Sequence, residues 1–445
     1  MHYDLILKNG TIVTPEKSFP GDIAVINGKI AAAGNTDSAD TADEIFDAAG
    51  LYILPGIIDA HVHFRDPGLT EKEDFETGSI AAAMGGVTTV ADMPNTIPVT
   101  STVERFNEKK IIAGEKSYVD FALFALLTND NLNEMDGLKK AGALGFKVFY
   151  GTSTGDIASP SAKVLLQQME RSSLRIGFHA ESNEINQNFT EVAKRETDTP
   201  NGFWLDYARP VISEIQAVRE ILSFAQLKQC AKIHFHHITS SDGAEFIGEA
   251  KQKGIDVSAE VCPHYLFFDA DNHTHKVYPP IRDEGHRLSL WEAISGGIID
   301  MIASDHAPHM ICEKSMPLWQ APAGLSGVET MVPLMLNKVN TGQSPECLSI
   351  NDFVRLASAA PAKIWGIYPQ KGNLFPGADA DITVVDMKAK KTIHANELHS
   401  KSRTSPYDGM AAQGMPVATI VRGKFVMRNG VLTGSKGYGN FISPK

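Results

Sequence analysis

The segment Ile57-Ile58-Asp59-Ala60-His61-Val62-His63-Phe64-Arg65-Asp66-Pro67-Gly68 ends an apolar run on a His-X-His pair. In an extended strand, residues two apart project from the same face, so both imidazoles can reach one metal ion. Taken alone, the pair reads equally well as two core histidines hydrogen-bonded to backbone. The rest of the chain separates the two readings.

Downstream, apolar strand-like runs alternate with longer helical stretches such as residues 213–229 and 243–253, which is the pattern of parallel β/α units. Candidate strands fall at 57–64, 87–93, 120–127, 145–150, 175–180, 232–239, 256–262 and 299–304. Eight such units predict an α/β fold built on a TIM (β/α)8 barrel, whose chemistry collects at the C-terminal ends of the strands. The polar residues fall there: His61 and His63 end the first strand, Asn95 follows the second, Lys147 lies in the fourth, and His179 ends the fifth. His237 ends the sixth, His264 follows the seventh, and Asp305 with His309 follows the eighth.

Both termini have a different texture. Short alternating segments at 5–8, 11–13, 23–26 and 29–33 are matched by 380–385, 417–421 and 424–428, with turns at Pro376-Gly377 and Asn429-Gly430. They predict one small β-sandwich domain from residues 1–55 plus 365–445, with the barrel over 56–364. The chain of 445 residues is long enough for both. A net charge of −12 argues against nucleic-acid or anionic-membrane surfaces, which need clustered Lys and Arg. Cys230, Cys262, Cys312 and Cys347 are widely spaced, without Cys-X-X-Cys, which fits a reducing compartment. With no leader-like N-terminus and no apolar run of membrane length, the chain reads as soluble and cytoplasmic. A homodimer is the default assembly for such a protein.

Together the motifs resemble the cyclic amidohydrolases of the metal-dependent amidohydrolase superfamily, and within it the dihydroorotases. The resemblance rests on His61-Val62-His63-Phe64-Arg65-Asp66-Pro67-Gly68, Asp92-Met93-Pro94-Asn95-Thr96, Gly145-Phe146-Lys147-Val148-Phe149, His179-Ala180-Glu181 and His237-Ile238-Thr239-Ser240. Cys262-Pro263-His264-Tyr265 and Ser304-Asp305-His306-Ala307-Pro308-His309 complete it, and similarity runs essentially end to end.

The resemblance implies two divalent ions: His61, His63 and Asp305 hold one, His179 and His237 the other, and Lys147 bridges them. A free ammonium would repel both ions, and in relatives this lysine is carboxylated by carbon dioxide to an anionic carbamate. Zinc is the default metal for imidazole and oxygen ligands around an open position. Such ions lower the pKa of a bridging water and polarise an amide carbonyl, with Asp305 as general acid/base. His234, His236 and His237 cannot all serve one face, and the following Ile-Thr-Ser selects His237. Alternation points His236 away from the lumen, while His234, His264 and His306 read as structural or supporting residues.

Arg65 offers a planar fork suited to a carboxylate. By the same resemblance Asn95 and His309 complete that grip, and backbone around Ala323 and Gly324 binds ring amides. A salt bridge to Asp66 is the plain alternative for Arg65. The substrate thus implied is N-carbamoyl-L-aspartate, cyclised reversibly to L-dihydroorotate in pyrimidine synthesis. The alternatives are a hydantoinase- or allantoinase-type hydrolase and, with less support, a non-catalytic scaffold. Tyr278 departs from the Asn usual before Pro279-Pro280-Ile281-Arg282. Residues 310–322, with few regular signals, read as a lid.

Overall fold

The computed structural model describes residues 1–37, 39–151, 157–229 and 231–445. Each of the eight expected central segments contains a strand. Ile57–Val62, Val87–Asp92 and Asp120–Leu123 form one parallel arc. Ala125–Leu126, Phe146–Tyr150, Ile176–Ala180, Ile233–Phe235, Val257–Val261 and Met301–Ile302 form a second. Only Phe124 separates Leu123 from Ala125, and a parallel bridge from Val62 to His306 links the other ends. Every residue of Ile57–Val62, Val87–Asp92 and Val257–Val261 is buried, as expected of parallel strands covered on both faces.

Helices between the strands start at side-chain caps that the sequence supplies. Asp74, Thr102, Ser161, Ser240 and Asp283 each accept a backbone N–H three residues on, satisfying donors a helix cannot pair internally. Among the described residues no helix is long and apolar enough to cross a membrane. Cys262, Cys312 and Cys347 are free thiols, and Cys230 lies outside the described residues.

The terminal strands form a single nine-stranded sheet. Its junction is Tyr52–Pro55, which pairs parallel to His2–Val13 and antiparallel to Ile382–Thr392. The sheet bends far enough to bring the Phe46 and Phe425 rings to 5.5 Å, enclosing Leu7, Ile23, Ile53, Ile382, Val384 and Ile420. The layers expected of a sandwich are thus one sheet folded over its own core. Three strands were not foreseen, Thr41–Asp47, Tyr52–Pro55 and Val431–Leu432. The first is mostly exposed, and its Thr-Ala-Asp-Glu-Ile-Phe-Asp sequence carries no alternation to read. Beyond the sheet, residues 433–445 return to the central strands, where Ile442 N–H donates to Phe121 O at 2.8 Å.

One buried ionic cluster ties these parts together. Lys371 Nζ lies 2.5 Å from Asp120, 3.0 Å from Asp379 and 2.5 Å from Asp381, with Lys29 and Arg422 completing the charge balance. Asp120 sits on a central strand and Asp381 leads into the sheet. The three carboxylates are close enough to suggest a metal site, but the ammonium fills that role. Lys371→Met should leave Asp381 without its ion-pair partner and cost about 3–5 kcal/mol of stability. An unchanged denaturation midpoint would contradict this reading of the cluster.

Candidate active site

The strand ends bring the expected residues to one place, and hydrogen bonds dictate how each imidazole is turned. His61 Nδ1 faces Glu260 Oε1, and His63 Nδ1 donates to Asn95 Oδ1 at 2.7 Å. With those protons committed, the Nε2 lone pairs of His61 and His63 point at Asp305 Oδ1, 3.3 and 3.0 Å away. Three electron-rich atoms converging on one point suit a cation, and the group meets the spacing of a metal site.

A second pair lies alongside. His179 Nε2 is 2.8 Å from Glu181, which turns His179 Nδ1 toward His237 Nε2 at 3.2 Å. The His61 and His237 rings are 5.4 Å apart, so the two groups adjoin. Lys147 is fully buried, and its Nζ has no hydrogen-bond partner among the described residues. It shares a small pocket of about 20 Å³ with His61, His63, His237 and Asp305.

Burial dominates the electrostatics. It pushes His61 and His237 well below the usual imidazole range and lowers His63 and His179 too, leaving all four neutral, the form that binds metal. Burial would raise Asp305, but it is held well below the usual carboxylate range by His61 and His63 beside it, a pull each imidazole exerts when it carries the proton. Lys147 is brought down to about 7 by burial, so a substantial fraction of its amine is neutral and nucleophilic near neutral pH.

Backbone strain marks the same residues. Arg65, His237 and Asp305 have φ of 62°, 39° and 45°, a region that costs non-glycine residues on the order of 1–3 kcal/mol each. The kink at His237 also corrects the expectation for His236. Because alternation breaks there, His236 turns inward, with Nδ1 3.0 Å from Glu260 and its ring parallel to Trp365. Gly177 makes the room, since a Cβ there would lie 2.1 Å from His236 Nε2.

Glu260 was not foreseen. It gathers His61 Nδ1, His236 Nδ1 and His234 Nε2 onto one carboxylate, so it orients a candidate ligand from behind. The available signal was a lone acid in the buried run Val257-Ser258-Ala259-Glu260-Val261. Arg209 was missed as well: it clamps Glu181 through two nitrogens. His306 faces Glu73 and Gly327, and His264 is buried beside Tyr265.

A cavity of about 530 Å³ opens outside the small pocket, lined by Arg65, Lys72, Asn95, Tyr278, His309 and Ala323 among others. Arg65 does not pair with Asp66, which binds Lys116 at 2.7 Å. Its guanidinium instead donates to Pro308 O and approaches His309 Nε2, both at 3.3 Å. Burial lowers it to about 10, so it stays charged at neutral pH. At the Ala323-Gly324 turn, Ala323 O accepts from His309, and Gly324 N–H donates to Lys276 O. A Cβ on Gly324 would meet Ala307 O at 2.4 Å. Residues 310–322 include a short helix, Ile311–Lys314, and Lys276 Nζ binds the carbonyls of Leu318 and Trp319.

The amidohydrolase family model matches residues 52–426. The chain belongs to the amidohydrolase family. It is 36% identical to an allantoinase from Deinococcus radiodurans, over all of both proteins. An L-hydantoinase from Paenarthrobacter aurescens is 35% identical over 99% of this chain and 98% of that protein. The solved L-hydantoinase (dihydropyrimidinase) of Arthrobacter aurescens superposes with a TM-score of 0.95 at 34% identity, covering 99% of this chain and 100% of that one. These relatives overturn the dihydroorotase expectation and, with it, N-carbamoyl-L-aspartate cyclisation and a place in pyrimidine synthesis. The expectation of a carboxylated ring rested chiefly on Arg65, whose guanidinium suits carbonyl oxygens as well as a carboxylate, so Arg65 does not choose between the rings.

The buried Lys147 amine gives a test. Between about 7 and the ordinary lysine value of about 10.4 the unfolded chain holds a proton that the folded chain has lost, so stability rises with pH in that window. In metal-free protein at pH 7, Lys147→Met should therefore stabilise the fold by something on the order of 3 kcal/mol. That gain should shrink toward pH 10, and metal binding should be lost. Equal stabilities at pH 7 would contradict it.

Proposed function

We propose that this chain hydrolyses a five-membered cyclic ureide of the hydantoin or allantoin type. The observation that carries the reading is the convergence of His61 Nε2, His63 Nε2 and Asp305 Oδ1 beside the neck of the 530 Å³ cavity. Relatives named allantoinase and L-hydantoinase that match from end to end support the ring class. The two parallel arcs are read as one closed (β/α)8 barrel over residues 56–364, and residues 1–55 plus 365–445 as the second domain.

His61, His63 and Asp305 fit one divalent ion and His179 with His237 a second, with Lys147, once carboxylated, between them. Zinc is the first assignment for that donor set. Two such ions polarise a carbonyl and raise the acidity of water.

The protein's own part is orientation and proton movement. Asn95 and Glu260 keep the Nδ1 protons of His63 and His61 directed away from the centre. Asp305, ionised throughout the neutral range, takes the proton of the attacking water and returns it to the departing ring nitrogen. The amide C–N bond breaks, carbon gains the hydroxyl and nitrogen the proton. The product is an open chain with a carboxylate and a ureido group. Arg65, His309, Ala323 and Gly324 border the ring and its substituent, where the Arg65 guanidinium suits the carbonyl oxygens of a ureide.

Purified protein should open hydantoin or allantoin, lose turnover on chelation and regain it when metal is restored. Asp305→Asn should lower kcat by about 10²–10⁴-fold. Metal-loaded protein that leaves both rings intact, monitored by release of the carbamoyl product, would overturn the reading.

A further inference from the structure

Tyr278 stands where the small pocket and the larger cavity meet. Among the described residues only it and Ala323 line both. The small pocket, at about 20 Å³, cannot admit a ring, so a substrate ring must seat in the neck itself, against the residues that line both spaces, with only its carbonyl reaching the small pocket. Ala323 contributes a methyl group, which leaves the Tyr278 phenol as the large side chain of the opening.

The phenol is also held in place. Arg209 Cζ sits 3.8 Å from the ring centroid, and Arg209 is itself anchored by Glu181, while Arg282 Nη1 donates to Arg209 O. Lys276 Nζ is 5.8 Å from the same ring. A cation stacked on the face of an aromatic ring restrains its tilt. Tyr278 is half-buried, so one part of the ring packs on protein while the rest borders the cavity.

We propose that Tyr278 is a specificity-determining residue that sets the size of the ring able to reach the centre, admitting five-membered cyclic ureides and disfavouring six-membered ones. A six-membered dihydropyrimidine differs from hydantoin by one methylene, and a pocket discriminates one methylene by about 10- to 200-fold. The inference rests on the proposed ring-opening activity and adds to it the residue that chooses among rings.

The experiment compares kcat/KM for hydantoin and for dihydrouracil in wild type, Tyr278→Phe and Tyr278→Ala, with metal content measured for each. Wild type should favour hydantoin by about tenfold or more. Tyr278→Phe, which keeps the ring, should keep that ratio. Tyr278→Ala should reduce it at least fivefold, chiefly through a better KM for dihydrouracil. If Tyr278→Ala does not fold, Tyr278→Leu serves in its place with the same expected direction. A purely structural role, acting through Arg209 and Glu181 on His179, would depress both substrates equally. An unchanged ratio in the Ala or Leu variant, or a wild type that favours dihydrouracil, therefore overturns the proposal. Wild type that opens allantoin but neither of these rings also overturns the proposal, and wild type that opens none of the three overturns the ring-opening activity itself.

Discussion

A point on which several lone pairs converge is unfavourable unless a cation occupies it, and the centre of this protein is built around such a point. Asn95 and Glu260 commit the outward protons of His63 and His61, so their other nitrogens must face Asp305. Glu181 does the same for His179, turning it on His237. Beside them lies an amine buried without a hydrogen-bond partner among the described residues, an arrangement that costs stability on its own. Each cost becomes intelligible if the site is completed by metal ions and an anionic lysine.

The fold carries this site by holding it rigidly from behind. Glu260 is fixed by His234 and His236, and Glu181 by Arg209. Left-handed backbone at Arg65, His237 and Asp305 aims three functional side chains from strand ends that would otherwise alternate. Elsewhere the molecule is tied down by conventional means: capped helices, buried parallel strands and the Lys371 cluster between sheet and central strands.

Much of this was legible in the chain. Apolar runs of strand length alternating with helical stretches located all eight central strands, because period and burial speak directly through residue type. They also located the residues the site brings together. The inward turn of His236 was not legible, since it depends on one left-handed residue after it and on Gly177 opposite. Glu260 was hidden for a related reason: a single buried acid acquires meaning only when partners from two other strands meet it. The Thr41–Asp47 strand is held by pairing to His2–Val13, and its own sequence offers no pattern. Substrate identity was misread because weight fell on Arg65 and its neighbours, whose guanidinium suits carbonyl and carboxylate oxygens alike.

The central claim is that Lys147 is a ligand in waiting, and it can be examined at the atom concerned. Protein loaded with metal in the presence of ¹³C-bicarbonate should show a carbamate carbon resonance by NMR that is absent from Lys147→Met. Fully active, metal-loaded protein with no such resonance would contradict the account.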